Sequence, residues 1–442
     1  MNPAKKKVLI ITYYFPPSGG AGVQRTLKFV KYLREFGWEP VVLTANEADY
    51  PVSDPALFEE VPQGVKVYRS RIIEPYRWYR KFTGREASES TDIATLTLDE
   101  KEKRRVRERV SEWVRATFFV PDARIGWLPF AYRMGRQILR SENIQVIFSS
   151  APPYTTHLIG LKLHKQSHLP WVADFRDSWI GWVSAPQWRP AISRAIEKRM
   201  EASVLQQADR ILTVSQGVKE DLLSRHTRVR EARWQLLPNG FDASDFEKVQ
   251  PAANKSAWTL TYSGSLYGPR HPEYLLQALE SLQKEKPKLL EKFCLRFIGR
   301  LGKPILERIQ VSPVRRLIEV VPYLTHKESL AYLLASDVLL LIIDDAPANK
   351  GILTGKLFEY IGAGKPILAL APEGEAADLI YANHLGWVAP PKDRAAIQKV
   401  LQHILEKRNS GEWMKMTPSP RLQKFERRHQ AGELAKILEG LT

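Results

Sequence analysis

A chain of 442 residues with 44% hydrophobic content is too long for one ordinary core and argues for two α/β domains of roughly 200 residues each. Its single cysteine, Cys294 in Phe293-Cys-Leu-Arg-Phe-Ile298, excludes an intrachain disulfide and fits a reducing compartment. The excess of 66 basic over 49 acidic side chains, a formal charge of +17, calls for an anionic partner; nucleic acid, anionic phospholipid and phosphorylated small molecules all qualify.

Lys5-Lys-Lys7 followed by a short apolar run mimics a signal peptide, but no small-residue cleavage site follows and the run meets Pro16-Pro17. It reads instead as a first buried strand over 8–12. No window approaches the ~18 apolar residues of a membrane span, so the expectation is a cytoplasmic protein, soluble or peripheral on the inner membrane face. Residues 13–22 form a loop carrying Gly19, Gly20 and Gly22. From 23 to 36, Val23, Leu27, Val30 and Leu33 recur at helical spacing, and Gly37 ends the helix before a strand at 41–44. Glycines at the first turn of such a βαβ unit let backbone amides approach an anion. The pattern is not Gly-x-Gly-x-x-Gly, which disfavours a nicotinamide cofactor.

A strand at 65–68 leads into 69–85, where Arg69, Arg71, Arg77, Arg80, Lys81 and Arg85 alternate with Tyr76, Trp78, Tyr79 and Phe82. Cations mixed with rings suit an anionic bilayer interface and equally suit a solvated basic loop. A polar segment follows, then a helical pattern over 99–119 with Val106, Val110, Trp113, Val114 and Phe118 on one face. The strand at 144–149 is followed by a loop, a helix and Trp171-Val-Ala-Asp-Phe-Arg-Asp177. There two carboxylates flank an arginine at a strand's carboxyl end. Either Arg176 neutralises Asp174 and Asp177, or the three clamp sugar hydroxyls. A strand at 210–214 and the turn-rich Leu237-Pro-Asn-Gly-Phe-Asp242 close the first half.

After a polar stretch at 247–256 the alternation restarts, with strands at 259–262, 295–298, 318–321, 338–343 and 367–370 and helices at 272–285 and 327–335. Arg270 stands in a Gly-bearing loop just before a helix, where an anion is favoured and a guanidinium offers bidentate contacts. Residues 350–370 form a crossover between two buried strands, with a helix opening near Thr354 and closing at Gly362 or Gly364. Lys356 lies in its first turn, where a cation opposes the helix dipole. Glu359 follows on the same face and accepts two hydrogen bonds. The bland reading is an exposed i,i+3 ion pair; the functional one is a diphosphate beside a sugar ring at the carboxyl edge of a parallel sheet. The chain ends in a basic helix over 422–441.

These features together resemble the GT-B glycosyltransferases, and in detail family 4, the retaining nucleotide-sugar transferases. The carriers are Tyr14-Phe-Pro-Pro-Ser-Gly-Gly-Ala-Gly-Val-Gln-Arg25, Ala173-Asp-Phe-Arg-Asp-Ser-Trp179, Leu212-Thr-Val-Ser-Gln-Gly217, Leu237-Pro-Asn-Gly-Phe-Asp242, Ser263-Gly-Ser-Leu-Tyr267 and Thr354-Gly-Lys-Leu-Phe-Glu-Tyr-Ile-Gly-Ala-Gly-Lys-Pro366. The resemblance implies an α/β chain of two Rossmann-like doubly wound domains facing across a cleft. The first is expected at 1–245, with an insertion at about 70–120, and takes the acceptor; the second is expected at 246–415 and takes the nucleotide-sugar. Residues 416–442 are expected to return to the first domain as a helix.

It further implies that Arg270 and Lys356 are catalytic and hold the donor diphosphate, that Glu359 binds ribose, and that Gly19, Gly20, Gly22, Thr354 and Gly355 line the donor. Asp174, Arg176 and Asp177 are the acceptor-side candidates. Two positions depart from the family pattern: Gly351 stands where a first Glu is usual, and Ser265 where an Arg is usual. The function implied is transfer of a sugar from a UDP- or GDP-sugar to a glycan or lipid-linked acceptor in surface polysaccharide or glycolipid synthesis. No metal or other cofactor is expected. The expected partners are the donor and acceptor, with an anionic membrane surface as a third candidate. The alternatives are another GT-B activity such as a nucleotide-sugar epimerase, or a basic nucleic-acid-binding protein. Against the latter, no nucleic-acid module is recognisable and the cations are dispersed through both halves.

Overall fold

A computed structural model describes residues 5–46, 48, 50, 52–73, 119–180, 190–253, 257–268, 270–412 and 419–442. The chain divides into two compact units, one holding the residues up to Pro238 together with Arg427–Thr442, the other holding Asn239–Glu426. The expected helix at 99–119 and residues 74–85 of the basic aromatic stretch lie outside the described residues.

The first unit is built on a seven-stranded parallel sheet of β1 (Lys6–Ile11), β2 (Trp38–Ala45), β3 (Lys66–Ser70), β4 (Val146–Ala151), β5 (Trp171–Phe175), β6 (Arg210–Thr213) and β7 (Trp234–Leu236). Their spatial order is β3-β2-β1-β4-β5-β6-β7. Val8, Leu9, Ile10 and Ile11 are all fully buried, as a strand covered on both faces requires. The order reverses between β1 and β4, so the crevice at their carboxyl ends is this sheet's switch point.

The second unit repeats the plan with six strands: β8 (Trp258–Ser263), β9 (Phe293–Ile298), β10 (Ile318–Val321), β11 (Val338–Ile342), β12 (Ile367–Leu370) and β13 (Gly386–Ala389). The order is β10-β9-β8-β11-β12-β13, and the switch point lies between β8 and β11. Each sheet has its own core, and both show the doubly wound α/β pattern of the GT-B fold.

β7 and β13 were not expected from the sequence. Each is a short edge strand, and β7 leaves Leu236 exposed, so neither carries the continuous apolar run that marks a central strand. The expected single helix at 422–441 is instead a 3-10 turn, Pro420–Phe425, an extended Glu426, and the helix Arg427–Glu439. That last helix packs on the helix Ala21–Tyr32 of the first unit. Its Ala431, Leu434, Ala435 and Leu438 share a core with Val23, Leu27 and Val30, and a Cβ at Gly432 would stand only 3.0 Å from the Phe36 ring. The chain therefore returns to its first unit, as the resemblance implied. Among the described residues no helix is long and apolar enough to cross a membrane.

Candidate functional site

In the second unit the site is assembled at the sheet's switch point. β8 delivers Tyr262 and Ser263, and Gly264 follows with φ +126°, a backbone conformation that side-chain-bearing residues rarely adopt. The space above Gly264 is also taken: a Cβ there would lie 2.3 Å from Lys356 Cε and 2.4 Å from Nζ. Lys356 reaches this position from the first turn of the helix Gly355–Gly362, whose N-terminus has no side-chain cap. The first amides of such a helix have no intrahelical partner. Thr354 Oγ1, at the N-cap, is buried and makes no hydrogen bond.

The Lys356 amine donates to Tyr262 Oη and lies 4.2 Å from the centre of the Tyr262 ring. Burial, and then the nearby Arg270 charge, push Lys356 down to about 7, with Glu359 opposing weakly. Burial also raises the Tyr262 phenol far above its ordinary value, so it stays protonated and donates to Ser265 O at 3.1 Å. Tyr360, on the same helix as Lys356, accepts from Ser263 N at 3.1 Å and donates to Leu340 O at 3.1 Å. The helix is thus tied to both β8 and β11.

Lys356 and Glu359 do not pair with each other. The amine turns to Tyr262, whereas Glu359 Oε1 lies 3.5 Å from His326 Nε2, on a helix opened by the Thr325–Glu328 capping box. The exposed i,i+3 ion pair is therefore not what forms. Arg270 Nε stands 3.6 Å from Asp344 Oδ1 just beyond β11. Asp344 is fixed in turn by its carbonyl, which accepts from Asn349 Nδ2 at 2.9 Å. Gly351 ends the short turn Pro347–Gly351. Asn349, two residues earlier, is buried with Oδ1 unpartnered.

Tyr262, Asp344, Asn349 and His326 were missed in the sequence. Only Tyr262 and His326 left a signal there, the first preceding Ser263-Gly-Ser and the second lying inside Thr-x-x-Glu.

In the first unit, Gly19 donates its amide to Val52 O at 2.9 Å. Gly20 is the N-cap of the helix Ala21–Tyr32 with φ +79°, and Gly22 falls within that helix's first turn, against the Tyr14 ring. Asp174 is fully buried at the end of β5, with both oxygens engaged. Arg25 Nε donates to Oδ2 at 2.9 Å, Arg25 Nη2 to Oδ1 at 2.7 Å, and Ser150 Oγ to Oδ2 at 2.7 Å. The arginine on Asp174 is thus Arg25, from a different motif, and not the expected Arg176. Arg176 donates to the carbonyls of Ala151, Gly22 and Pro152, and Asp177 O accepts from Tyr154 Oη at 3.1 Å. Arg69, expected in a basic loop, belongs to β3 and donates to Pro16 O at 2.5 Å.

Residues 19–245 match Glycosyltransferase Family 4, and residues 243–417 match Glycosyl transferases group 1. The chain belongs to the family 4 glycosyltransferases, enzymes that use a nucleotide-sugar donor. Among solved structures it is similar to Anabaena Alr3699/HepE in complex with UDP and glucose, at 11% identity and a TM-score of 0.63 over 98% of this chain and 100% of that one. It is also similar to the lipopolysaccharide outer core galactosyltransferase WaaB, at 13% identity and a TM-score of 0.54 over 98% and 99%. A putative UDP-N-acetylglucosamine 2-epimerase from Listeria monocytogenes shares the fold as well, at 13% identity and 0.55 over 99% and 96%. No curated protein matches the chain in sequence.

Proposed function

We propose that the protein transfers a hexosyl group from a UDP- or GDP-sugar to a glycan or lipid-linked acceptor in surface polysaccharide or glycolipid synthesis, with retention at the anomeric carbon. The observation that carries this reading is the cluster at the second sheet's switch point, where Lys356, Arg270 and an uncapped helix N-terminus converge. Two cations beside free amides suit a diphosphate. Lys356 and Arg270 oppose the negative charge that develops as the nucleoside diphosphate leaves, the role a metal ion fills elsewhere. Thr354 and Gly355 offer a hydroxyl and an amide to the same phosphates, and Glu359 takes the ribose hydroxyls. Gly19, Gly20 and Gly22, at the start of the helix Ala21–Tyr32, are further donor-binding candidates through their backbone amides. Arg176 and Asp177 serve the acceptor, while Asp174 acts behind them as the anchor of Arg25. The UDP and UDP-glucose complexes of the Anabaena protein support a uridine donor.

A screen of UDP- and GDP-sugars for nucleotide release, run in EDTA and with mixed cell-envelope acceptors, tests the reading. One donor is expected to be consumed in an acceptor-dependent way at a rate EDTA does not lower. Activity restored only by magnesium or manganese would remove the metal-independent mechanism, and acceptor-independent turnover would favour an epimerase. The proposal includes peripheral placement on an anionic inner leaflet, supported by the charge of +17. Anionic vesicles added to the same assay are expected to raise the rate at low salt, and indifference to them counts against that placement.

Glu359→Gln is expected to weaken UDP binding by about tenfold, the scale of a hydrogen bond to a charged group, and to leave pyrophosphate binding nearly unchanged at about pH 6, below the Lys356 value of about 7. Calorimetry with both ligands checks this. An equal loss for the two would place Glu359 near the phosphates and not at the ribose.

A further inference from the structure

Lys356 is held by one side chain that the donor reading leaves without a task. Tyr262 is fully buried, yet its phenol is spent on two polar contacts, one three residues along the chain and one 94 positions away. It donates to the Ser265 carbonyl at 3.1 Å and accepts from Lys356 Nζ. Because its only proton is committed to Ser265, the oxygen faces the amine with lone pairs alone. Its ring lies 4.2 Å beneath the same nitrogen, a second contact that favours a cation. Gly264, which admits no Cβ beside Lys356, leaves the channel through which the side chain passes.

The other groups around the amine are accounted for. Arg270, from the loop before the helix Glu273–Glu285, disfavours a charge on Lys356, and Glu359 on its own helix favours it. Asp344 beyond β11 lies against Arg270, His326 against Glu359, and the Tyr360 hydroxyl is taken by Ser263 and Leu340. Among the described residues, Tyr262 is therefore the one neutral side chain hydrogen-bonded to the amine.

We propose that Tyr262 is a positioning residue for Lys356, fixing the amine at the end of β8 and favouring its protonated form against burial and Arg270, so that a charged ammonium is in place when a donor diphosphate arrives. The inference rests on the donor reading for its purpose, but the clamp itself is a property of the free protein. It follows that the donor binds more tightly when Lys356 is already protonated. Affinity falls as pH rises through about 7, the value of the free amine, because each binding event must then take up a proton. Removing the phenol oxygen shifts that fall to lower pH.

The test compares the parent with Tyr262→Phe, which keeps the ring and removes only the oxygen. The 13Cε resonance of Lys356, assigned by its loss in Lys356→Arg, gives the titration midpoint of the amine without any ligand. The midpoint is expected to fall by about half a pH unit or more. Calorimetry between pH 6 and 8.5 with UDP-glucose and GDP-mannose, whose diphosphate diesters do not titrate in this range, gives the linked effect. The variant is expected to bind the accepted donor about three- to tenfold more weakly at pH 7.5 and nearly as well as the parent at pH 6. An unchanged midpoint, or an affinity loss that is uniform across pH, overturns the proposal. A shifted midpoint in a protein that binds neither nucleotide-sugar upholds the clamp and defeats the donor reading instead. Should the variant melt at lower temperature, the resonance of its folded fraction still reports the midpoint.

Discussion

Lys356→Ala is expected to lower turnover by about 10²–10³-fold, the cost of removing one preorganised charge from a developing anion. The ammonium sits half-buried at an uncapped helix N-terminus beside Arg270, where its field is screened less than that of a fully exposed charge. Because Lys356 is poised at about 7, it is half neutral near neutrality in the free protein. The effect should be larger on turnover than on nucleotide binding, because the negative charge Lys356 opposes grows as the bond to the leaving diphosphate breaks. The pH dependence carries the sign: kcat/KM of the parent should fall as pH rises above about 7, and that limb should be absent in the variant. Lys356→Arg should recover little, since a planar guanidinium does not fit between the Tyr262 ring and Gly264. Steady-state kinetics on proteins of matched melting temperature decide the matter. Wild-type turnover in a folded Lys356→Ala protein would remove this residue from the chemistry.

The sheets were largely legible because parallel strands buried on both faces must be apolar throughout. Runs such as Val8–Ile11 and Val338–Ile342 carry that signature. β7 and β13 escaped because edge strands need no such run. The break at Glu426 escaped because a 3-10 turn followed by a helix carries the same apolar spacing as one longer helix. Within the site, Lys356, Glu359 and Arg270 were readable from helix starts and glycine loops, which are local signals. Their partners were not. Tyr262 meets Lys356 across 94 positions and Arg25 meets Asp174 across 149, and nothing in a single sequence records which buried charge meets which. Arg176 was the nearer choice for Asp174 along the chain, and Arg25 won because the fold stacks the helix Ala21–Tyr32 over the end of β5.

That buried pair leads to the largest expected effect on stability. Arg25 donates two hydrogen bonds to Asp174 and one each to the carbonyls of Leu237 and Pro238. Gln430 of the last helix donates to the same Pro238 carbonyl at 3.0 Å. One guanidinium therefore joins the helix that begins at the glycine loop, the end of β5, and the segment on which the returning C-terminal helix rests. Burial works against the Asp174 carboxylate, but Arg25, by charge and hydrogen bond, together with Ser150, outweighs it and holds the group below its usual value. Removing either partner strands an uncompensated charge in the core, at a cost of about 3–5 kcal/mol. For a unit of this size that lowers the melting temperature by roughly 6–20 °C. Arg25→Ala and Asp174→Ala should therefore each lower the calorimetric transition of the first unit by an amount in this range. Arg25→Lys should recover only part, because a single ammonium cannot replace the fork. The sign with pH follows from the depressed carboxyl value. The pair's contribution is fully present above the unfolded value near ~4 and is lost as pH falls through the folded one, so over the range from about pH 3 to 8 parent and Asp174→Asn should differ by a constant amount above about pH 5 and converge toward the acid end. Calorimetric scans across that range check it, and variants that melt with the parent at neutral pH would show that the fold does not depend on this pair.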